Sequence, residues 1–180
     1  MNVRRFRSTA CIALAGLVLT PPLASAQTAV FVVRHAEKVS ETDQRLTDAG
    51  RERAARLAKM LGAAGIRAIY ATDTERARDT AAPLAQALKL SITTYDVGAG
   101  MAKDTPDASE LARTLRRDHP GDAVLVVGHS NTVPQILKAL GCREEISIAA
   151  QQYDDLFIVV PGGSGSPTPM PTPTLVRLRY

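Results

Sequence analysis

The sequence predicts an α/β fold with a mostly parallel central sheet and an antiparallel edge. Residues 29–33 and 123–127 are apolar, valine-rich runs, which are typical of strands buried on both faces of a parallel sheet. Helical patterns alternate with strand patterns over most of the chain, and this alternation favours parallel pairing. The C-terminal part has two strand patterns joined by a loop, which predicts the antiparallel edge.

The remaining elements follow from local signals. Further strands are predicted over 66–71, 91–97, 155–160 and 175–180, and helices over 48–64, from the 72–75 stretch to about 88, over 105–119 and over 132–140. Thr47 is a suitable N-cap for the first helix, and Thr72 with Glu75 has the spacing of a capping box for the second. Pro83 predicts a kink or an early break in that second helix, because proline has no N–H to donate.

Residues 1–26 have the features of a cleaved secretory signal. Arg4, Arg5 and Arg7 precede an apolar stretch that is too short for a stable membrane anchor, and residues 24–26 read Ala-Ser-Ala, a cleavage motif. We therefore expect a secreted or periplasmic protein with a single domain over 27–180 and no membrane anchor after cleavage. The signal holds three of the 22 basic residues and none of the 18 acidic ones, which leaves 19 against 18. The basic composition therefore does not indicate nucleic-acid binding.

Two features of the C-terminal part each have a simple and a functional interpretation. Cys142 is the only cysteine left after cleavage, so no intramolecular disulfide is expected. Its thiol is either a redox group or, as we favour, a small buried side chain after a helix. Residues 161–174 are almost entirely Pro, Gly, Ser and Thr, which favours a flexible loop over a proline-rich docking motif.

Chemically active side chains directly follow two predicted strands. Arg34 and His35 come after the 29–33 strand, and His129 comes after the 123–127 strand. Arg76 lies in the first turn of the helix that follows the second strand. Because ligands bind at the carboxyl ends of parallel strands, we expect these four side chains to converge on one pocket.

The segment around His129 also carries turn and capping signals. Gly128 is expected to permit a tight turn at the end of its strand. Ser130 or Asn131 is suited to cap the helix that follows.

A pocket of this composition suits a phosphoryl group. Two guanidinium groups can bind phosphate oxygens bidentately and neutralise a dianion, and helix N-termini add backbone donors. A neutral imidazole can act as a nucleophile, while a second, protonated imidazole stabilises charge in the transition state. None of these steps requires a metal or another cofactor. Each residue alone would be an ordinary surface charge or structural histidine, and it is the combination that favours a site.

Three motifs together resemble the histidine phosphatase superfamily, also called phosphoglycerate-mutase-like. They are Val-Arg-His-Ala-Glu-Lys at 33–38, the 76–81 segment with Arg76-Ala77 and Thr80-Ala81, and Val-Gly-His-Ser-Asn-Thr at 127–132. The resemblance covers nearly all of residues 28–160. It is greatest to the short secreted members that carry an Arg-His-Ala-Glu-Lys motif.

The resemblance implies a three-layer α/β/α sandwich and a phosphohistidine intermediate. By motif match, His35 would be the nucleophile, and Arg34 and Arg76 would clamp the phosphate. His129 would complete the pocket and stabilise the transferring group. No metal and no cofactor are implied.

At other positions near these four residues, the sequence matches the pattern of the family less completely. Lys38 falls where the family usually has a small polar phosphate contact, so it is a candidate third cation, and Ser130 is a further candidate for substrate binding. Ala36 replaces the usual glycine. Larger members supply a carboxylate that protonates the leaving group from the region after the third strand, and that region offers three candidates here: Asp96, Asp104 and Asp107.

The expected activity is that of a metal-independent phosphomonoesterase of the histidine acid phosphatase type. Its substrate would be a phosphorylated small molecule, an envelope sugar or a phosphoprotein. A mutase is less favoured, because the chain has only short connections to enclose a substrate. The alternative is a phosphate-ligand-binding protein with little or no turnover, since the general acid is unassigned. A metal site on His35 and His129 is disfavoured, because neighbouring arginines would repel a cation.

Overall fold

A computed structural model describes residues 29–96, 108–162 and 172–180 of the chain. Strands and helices alternate along most of this part, as the sequence predicts. The strands are β1 (Ala29–Arg34), β2 (Ile66–Thr72), β3 (Ile92–Tyr95), β4 (Ala123–Gly128), β5 (Asp155–Val160) and β6 (Thr174–Arg179). The helices are α1 (Asp48–Leu61), α2 (Glu75–Leu88), α3 (Ala108–Asp118) and α4 (Thr132–Ala139).

The strands form one sheet in the order β3-β2-β4-β1-β5-β6. Strands β1 to β4 pair in parallel, whereas β5 runs antiparallel to both of its neighbours, β1 and β6. The predicted mostly parallel sheet with an antiparallel edge is therefore confirmed. In the register of β1 and β4, Arg34 lies opposite Gly128, so the chain leaves both strands at the same edge of the sheet.

Helices cover both faces of this sheet. Along β1, Val30 and Val32 pack into one core with α3 and α4, while Phe31 and Val33 pack into a second core with α1 and α2. This alternation explains why the strand is apolar throughout, since each side chain is buried on one face or the other. Burial of each such side chain contributes about 1.5–3 kcal/mol. The three-layer α/β/α architecture is confirmed.

The second helix begins later than its predicted capping box. Its N-cap is Thr74, whose hydroxyl accepts from the Ala77 N–H at 3.4 Å. Thr72 instead remains in β2, because it still pairs with Tyr95 of β3. The prediction of a capping box at 72–75 was therefore wrong by two residues, and the error matters because it leaves the Thr72 hydroxyl for another role.

Helix α2 also continues through Pro83 to Leu88, so the predicted early break is wrong. The carbonyl that loses its helical donor is that of Asp79, an exposed residue. Leu84, next in sequence to the proline, is fully buried against the sheet and holds the helix across this point.

The segment between β4 and α4 corrects two further predictions. Gly128 is required for space rather than for a turn: a Cβ there would lie 2.8 Å from the Thr132 Oγ1 and 3.1 Å from the Tyr95 hydroxyl. Asn131 occupies the N-cap position of α4 without a side-chain capping bond. The Thr132 hydroxyl instead accepts from the His129 N–H at 2.8 Å, which holds the turn that precedes the helix.

Several predictions fall outside the described residues. These are the signal at 1–26, the last residue of the strand predicted over 91–97, the first three residues of the helix predicted over 105–119, and residues 163–171 of the Pro/Gly/Ser-rich loop. Cys142 is described and is buried after α4, as the favoured interpretation of that residue requires. Within the described ranges, no helix is long and apolar enough to cross a membrane.

Candidate active site

The candidate active site lies where β1 and β4 end. The His35 N–H donates to the Gly128 carbonyl at 2.9 Å, which continues the pairing of the two strands by one residue. His35 and His129 are both buried, and their ring centroids are 5.2 Å apart in an edge-to-face arrangement. The sheet register alone therefore brings the two predicted histidines together.

Arg34 is oriented by backbone groups from a distant segment. Its Nη1 donates to the carbonyl oxygens of Ala149 and Ala150 at 2.9 Å and of Gln152 at 3.0 Å. The ring of Tyr153 packs on the guanidinium, 4.0 Å from the Arg34 Cζ. The Arg34 Nε is buried and has no hydrogen-bond partner among the described residues. The arginine is thus held by one nitrogen and keeps a donor available.

His35 is held in one tautomer. Its Nδ1 lies 2.7 Å from the Ala36 carbonyl oxygen, which can only accept, so Nδ1 carries the proton and Nε2 keeps a lone pair. The pKa of His35 is lowered to about 3, mainly by burial and also by electrostatic repulsion from His129, Arg76 and Arg34, although the hydrogen bond to Ala36 raises it. The ring is therefore neutral near pH 7, as a nucleophile must be.

His129 is contacted at both ring nitrogens. Its Nε2 lies 2.8 Å from the Thr72 Oγ1, and its Nδ1 lies 3.3 Å from the Arg76 Nη2. Burial lowers its pKa to about 4, with further contributions from Arg76 and Arg34. The Arg76 Nε, like that of Arg34, is buried without a partner in the described part of the chain.

Hydrogen bonds connect the first motif to helix α2. The Ala36 N–H donates to the Thr80 Oγ1 at 2.9 Å, and the Thr80 hydroxyl donates to the Arg76 carbonyl at 2.7 Å. Thr80 is fully buried, so this link is protected from water. It sets the position of Arg76 relative to His35, which explains a threonine four residues after the arginine.

The first motif is also docked on α1. The Glu37 carboxylate accepts from the Arg53 Nε and Nη2, with a closest distance of 2.7 Å, and the Arg53 Nη1 donates to the Tyr180 carbonyl. Gly50 allows the close approach, because a Cβ there would lie 2.3 Å from the Glu37 carbonyl oxygen. Glu37 is therefore a structural member of the motif rather than a group that faces the phosphate site.

The remaining candidates are less well placed. The Lys38 Nζ pairs with the Glu41 Oε2 at 2.6 Å, although its charge still contributes to the lowered pKa of His129. Ser130 is half-buried and makes no hydrogen bond to another described residue. Asp96 is exposed beyond the end of β3, while the other two candidate acids, Asp104 and Asp107, lie outside the described residues.

Two contributors to the site were missed in the sequence. Thr72 was interpreted as a helix cap, and only its pairing within the sheet reveals that its hydroxyl is free to contact His129. Tyr153 and the carbonyls of residues 149–152 lie in a stretch without a motif. Backbone carbonyls have no signature in a sequence, so nothing there indicated a partner for Arg34.

The donor set at the site is suited to an anion. It combines the buried guanidinium of Arg34 and the half-buried guanidinium of Arg76 with two neutral imidazoles, and these positive charges disfavour a bound cation. Among the described residues, no group of three or more His, Cys, Asp or Glu side chains is arranged to hold a metal ion.

Comparison with known proteins points to one superfamily. A family model, the histidine phosphatase superfamily (branch 1), matches residues 30–97, which include Arg34, His35 and Arg76. No curated protein sequence matches the chain. The match confirms the predicted resemblance to the histidine phosphatase superfamily over residues 30–97, which hold two of the three motifs. The motif at 127–132 lies outside the matched range, and the narrower subgroup of short secreted members remains a prediction.

Solved structures share the fold at low sequence identity. The protein histidine phosphatase SixA complexed with tungstate is 20% identical over 84% of this chain and 96% of that chain, with a TM-score of 0.62. YhfR of Bacillus stearothermophilus is 18% identical over 76% and 92%, with a TM-score of 0.58. The mycobacterial glucosyl-3-phosphoglycerate phosphatase Rv2419c with VO3 is 14% identical over 84% and 98%, with a TM-score of 0.57.

Proposed function

We propose that this protein is a metal-independent phosphomonoesterase that works through a phosphohistidine on His35. One observation carries the proposal: a neutral imidazole with a free Nε2 lies beside two guanidinium groups whose buried Nε donors have no partner among the described residues. Buried donors without acceptors are costly, and a phosphoryl group supplies acceptors of matching charge.

In the first step, the His35 Nε2 lone pair attacks phosphorus, and the bond from phosphorus to the leaving-group oxygen breaks. The leaving group departs with that electron pair as an oxyanion and takes a proton from solvent. Arg34 and Arg76 stabilise the charge on the equatorial oxygens, which is the main contribution a protein makes to phosphoryl transfer. The Ala36 carbonyl stabilises the Nδ1–H of the ring as it becomes positively charged.

In the second step, water attacks the phosphohistidine. The bond between phosphorus and Nε2 breaks, its electron pair returns to the ring, and inorganic phosphate is released. His129 contributes a hydrogen bond to the phosphoryl oxygens in both steps. The neutral state of His35 in the free protein prepares it for attack, whereas His129 must take up a proton before it can donate to a phosphoryl oxygen.

Protonation of the leaving group limits the substrates. Glu41 is the carboxylate that pairs with Lys38, and that ammonium lowers the pKa of Glu41, so it is ionised near pH 7 and has no proton to give. Asp96 is exposed beyond β3. We therefore expect activated esters and phosphoramidates to react faster than alkyl phosphates.

The substrate is proposed as a phosphorylated small molecule, an envelope sugar or a phosphoprotein. Two structural neighbours support this range, since one is a protein histidine phosphatase and the other a glucosyl-3-phosphoglycerate phosphatase. A mutase is less favoured because the connections in the chain are short. We also propose secretion to the periplasm or beyond, on the basis of residues 1–26.

The test compares the mature protein with His35→Asn in the presence of a chelator, using an aryl phosphate as substrate. His119→Gln is the matched control, because it removes a histidine that lies outside the site. We expect the His35 variant to lose at least about 10³-fold in kcat/KM and the control to keep its activity. Full activity in His35→Asn would disprove the proposal. A folded wild-type protein that binds vanadate but releases no phosphate would favour the binding-protein alternative.

A further inference from the structure

The contacts of His129 define where its proton lies. A guanidinium group can only donate, so the Nδ1 that faces the Arg76 Nη2 at 3.3 Å must accept. The proton of the neutral ring is therefore on Nε2, from which it is donated to the Thr72 Oγ1 at 2.8 Å. Because Thr72 is buried, water has little access to this hydrogen bond.

The Thr72 hydroxyl has its own onward partner. Its oxygen lies 3.3 Å from the Thr74 Oγ1, which in turn accepts from the Ala77 N–H at the start of α2. Since Thr72 accepts from His129, its own proton is free for Thr74. The hydrogen bonds thus run in one direction, from Arg76 to His129, from His129 to Thr72, and from Thr72 to Thr74 at the N-cap of α2. The position of α2 therefore fixes the ring of His129.

We propose that Thr72 is a positioning residue that holds His129 in the Nε2–H tautomer and presents its Nδ1 to the transferring phosphoryl group. This inference rests on the proposed function and deepens it. In the free protein, Nδ1 accepts from Arg76. When phosphoryl oxygens take the Arg76 donors, Nδ1 loses that donor, takes up one proton from solvent and donates it to a phosphoryl oxygen.

Thr72 is needed in both states. The imidazolium has a proton on each nitrogen, and its Nε2–H still requires an acceptor in a buried position. The Thr72 Oγ1 supplies that acceptor without moving. Because hydrogen bonds to a charged group are stronger than those to a neutral one, this contact becomes stronger when the phosphoryl group binds.

The test uses Thr72→Val, which keeps the shape and removes the hydroxyl, and Thr72→Ser, which restores it. Thr94→Val is the matched control, since Thr94 is an exposed residue of the neighbouring β3. We expect Thr72→Val to stay folded and to lose about 10- to 100-fold in kcat/KM for an aryl phosphate. Thr72→Ser should recover most of that loss, and the control should match the wild type.

A pH profile separates positioning from a purely structural role. Loss of the acceptor disfavours the imidazolium in the substrate complex, so the pH at which kcat falls on the alkaline side should move lower by about one unit in Thr72→Val. Unchanged activity and an unchanged profile in this variant would overturn the inference. So would an equal loss in both Thr72 variants that follows their loss of stability.

Nitrogen-detected NMR of the labelled histidines reads the tautomer without turnover. The inference expects an Nε2–H signature for His129 in the free wild-type protein and a loss of that preference in Thr72→Val. An Nδ1–H signature in the wild type would overturn it. If the tautomer depends on Thr72 but the protein has no phosphatase activity, the positioning by Thr72 is supported and the proposed function fails.

Discussion

Arg34 and Arg76 reach the same pocket, but different parts of the molecule hold them. The Nη1 of Arg34 is held by three backbone carbonyls of the 149–152 segment, and Tyr153 covers its guanidinium. Arg76 lies in the first turn of α2, and its Nη2 donates to another group of the site, the His129 Nδ1.

The two arginines therefore differ in whether the binding of a phosphoryl group disturbs their contacts. Among the described residues, the side chain of Arg34 contacts backbone carbonyls and Tyr153 but neither histidine of the site, so a phosphoryl group can bind to its Nε without breaking these contacts. The contact of Arg76 must be exchanged for phosphoryl oxygens, and that exchange changes the environment of His129. One arginine is therefore part of the rigid scaffold, and the other is coupled to the protonation of a neighbouring ring.

The largest expected effect comes from replacing each arginine by lysine. A lysine keeps the charge but cannot present a planar pair of donors, so both Arg34→Lys and Arg76→Lys should lose about 10²–10³-fold in kcat/KM. Only Arg34→Lys should also lower the free energy of unfolding, by about 0.5–1.5 kcal/mol, because an ammonium cannot reproduce the hydrogen bonds of the guanidinium to three backbone carbonyls. Steady-state kinetics and chemical denaturation of both variants measure this. Equal losses of stability in the two variants would contradict the proposed difference in how the protein holds the two arginines.

A smaller effect is expected at Tyr153, whose ring packs on Arg34 and lies 6.0 Å from the ring of His35. Removal of the ring in Tyr153→Ala should loosen Arg34 and lower kcat/KM about 10-fold, since a cation–π contact contributes about 0.5–2 kcal/mol. Tyr153→Phe keeps the ring and should behave like the wild type. If the phenylalanine variant loses as much activity as the alanine variant, the hydroxyl acts in the reaction and the ring is not the important part.

The two histidines should make the stability of the protein depend on pH. Their pKa values in the folded state, about 3 for His35 and about 4 for His129, lie below the usual 6.5, so the unfolded chain binds more protons in between. The stabilisation is present above about pH 6.5 and is lost as the pH falls towards 3–4. Denaturation at a series of pH values should show this loss, and it should be shallower in His35→Asn. An identical pH dependence in the variant would contradict the lowered pKa of His35.

The smallest expected effect is on the pKa of His129. The charge of Arg76 lowers this pKa more than that of Arg34 does. Arg76→Gln should therefore raise the pKa of His129 more than Arg34→Gln, as NMR titration of the ring would show. A larger rise in Arg34→Gln would mean that Arg76 is not the arginine coupled to His129.

The sequence allowed the four central residues to be located because strand ends are predictable. An apolar run that is buried on both faces ends where the first charged residue appears, and parallel strands end at one edge of the sheet. His35, His129, Arg34 and Arg76 all follow from this reasoning. The family resemblance added the roles expected of them.

The second layer of contacts could not be predicted in this way. Thr72 belongs to β2 because of its pairing with Tyr95, a contact between residues distant in sequence that overrides the local capping signal. Arg34 is oriented by carbonyl groups of residues 149–152. Backbone carbonyls are present whatever the side chains are, so the sequence does not mark them. Both depend on tertiary packing, which local patterns do not record.

The most direct test of the central claim is to trap the covalent intermediate. The mature protein is mixed with an aryl phosphate in the presence of a chelator, quenched rapidly, and analysed for acid-labile, base-stable phosphate by peptide mass spectrometry. We expect the label on His35 in the wild type and in His119→Gln, and no label in His35→Asn. Turnover without any label on His35, or with the label on another residue, would contradict the phosphohistidine mechanism.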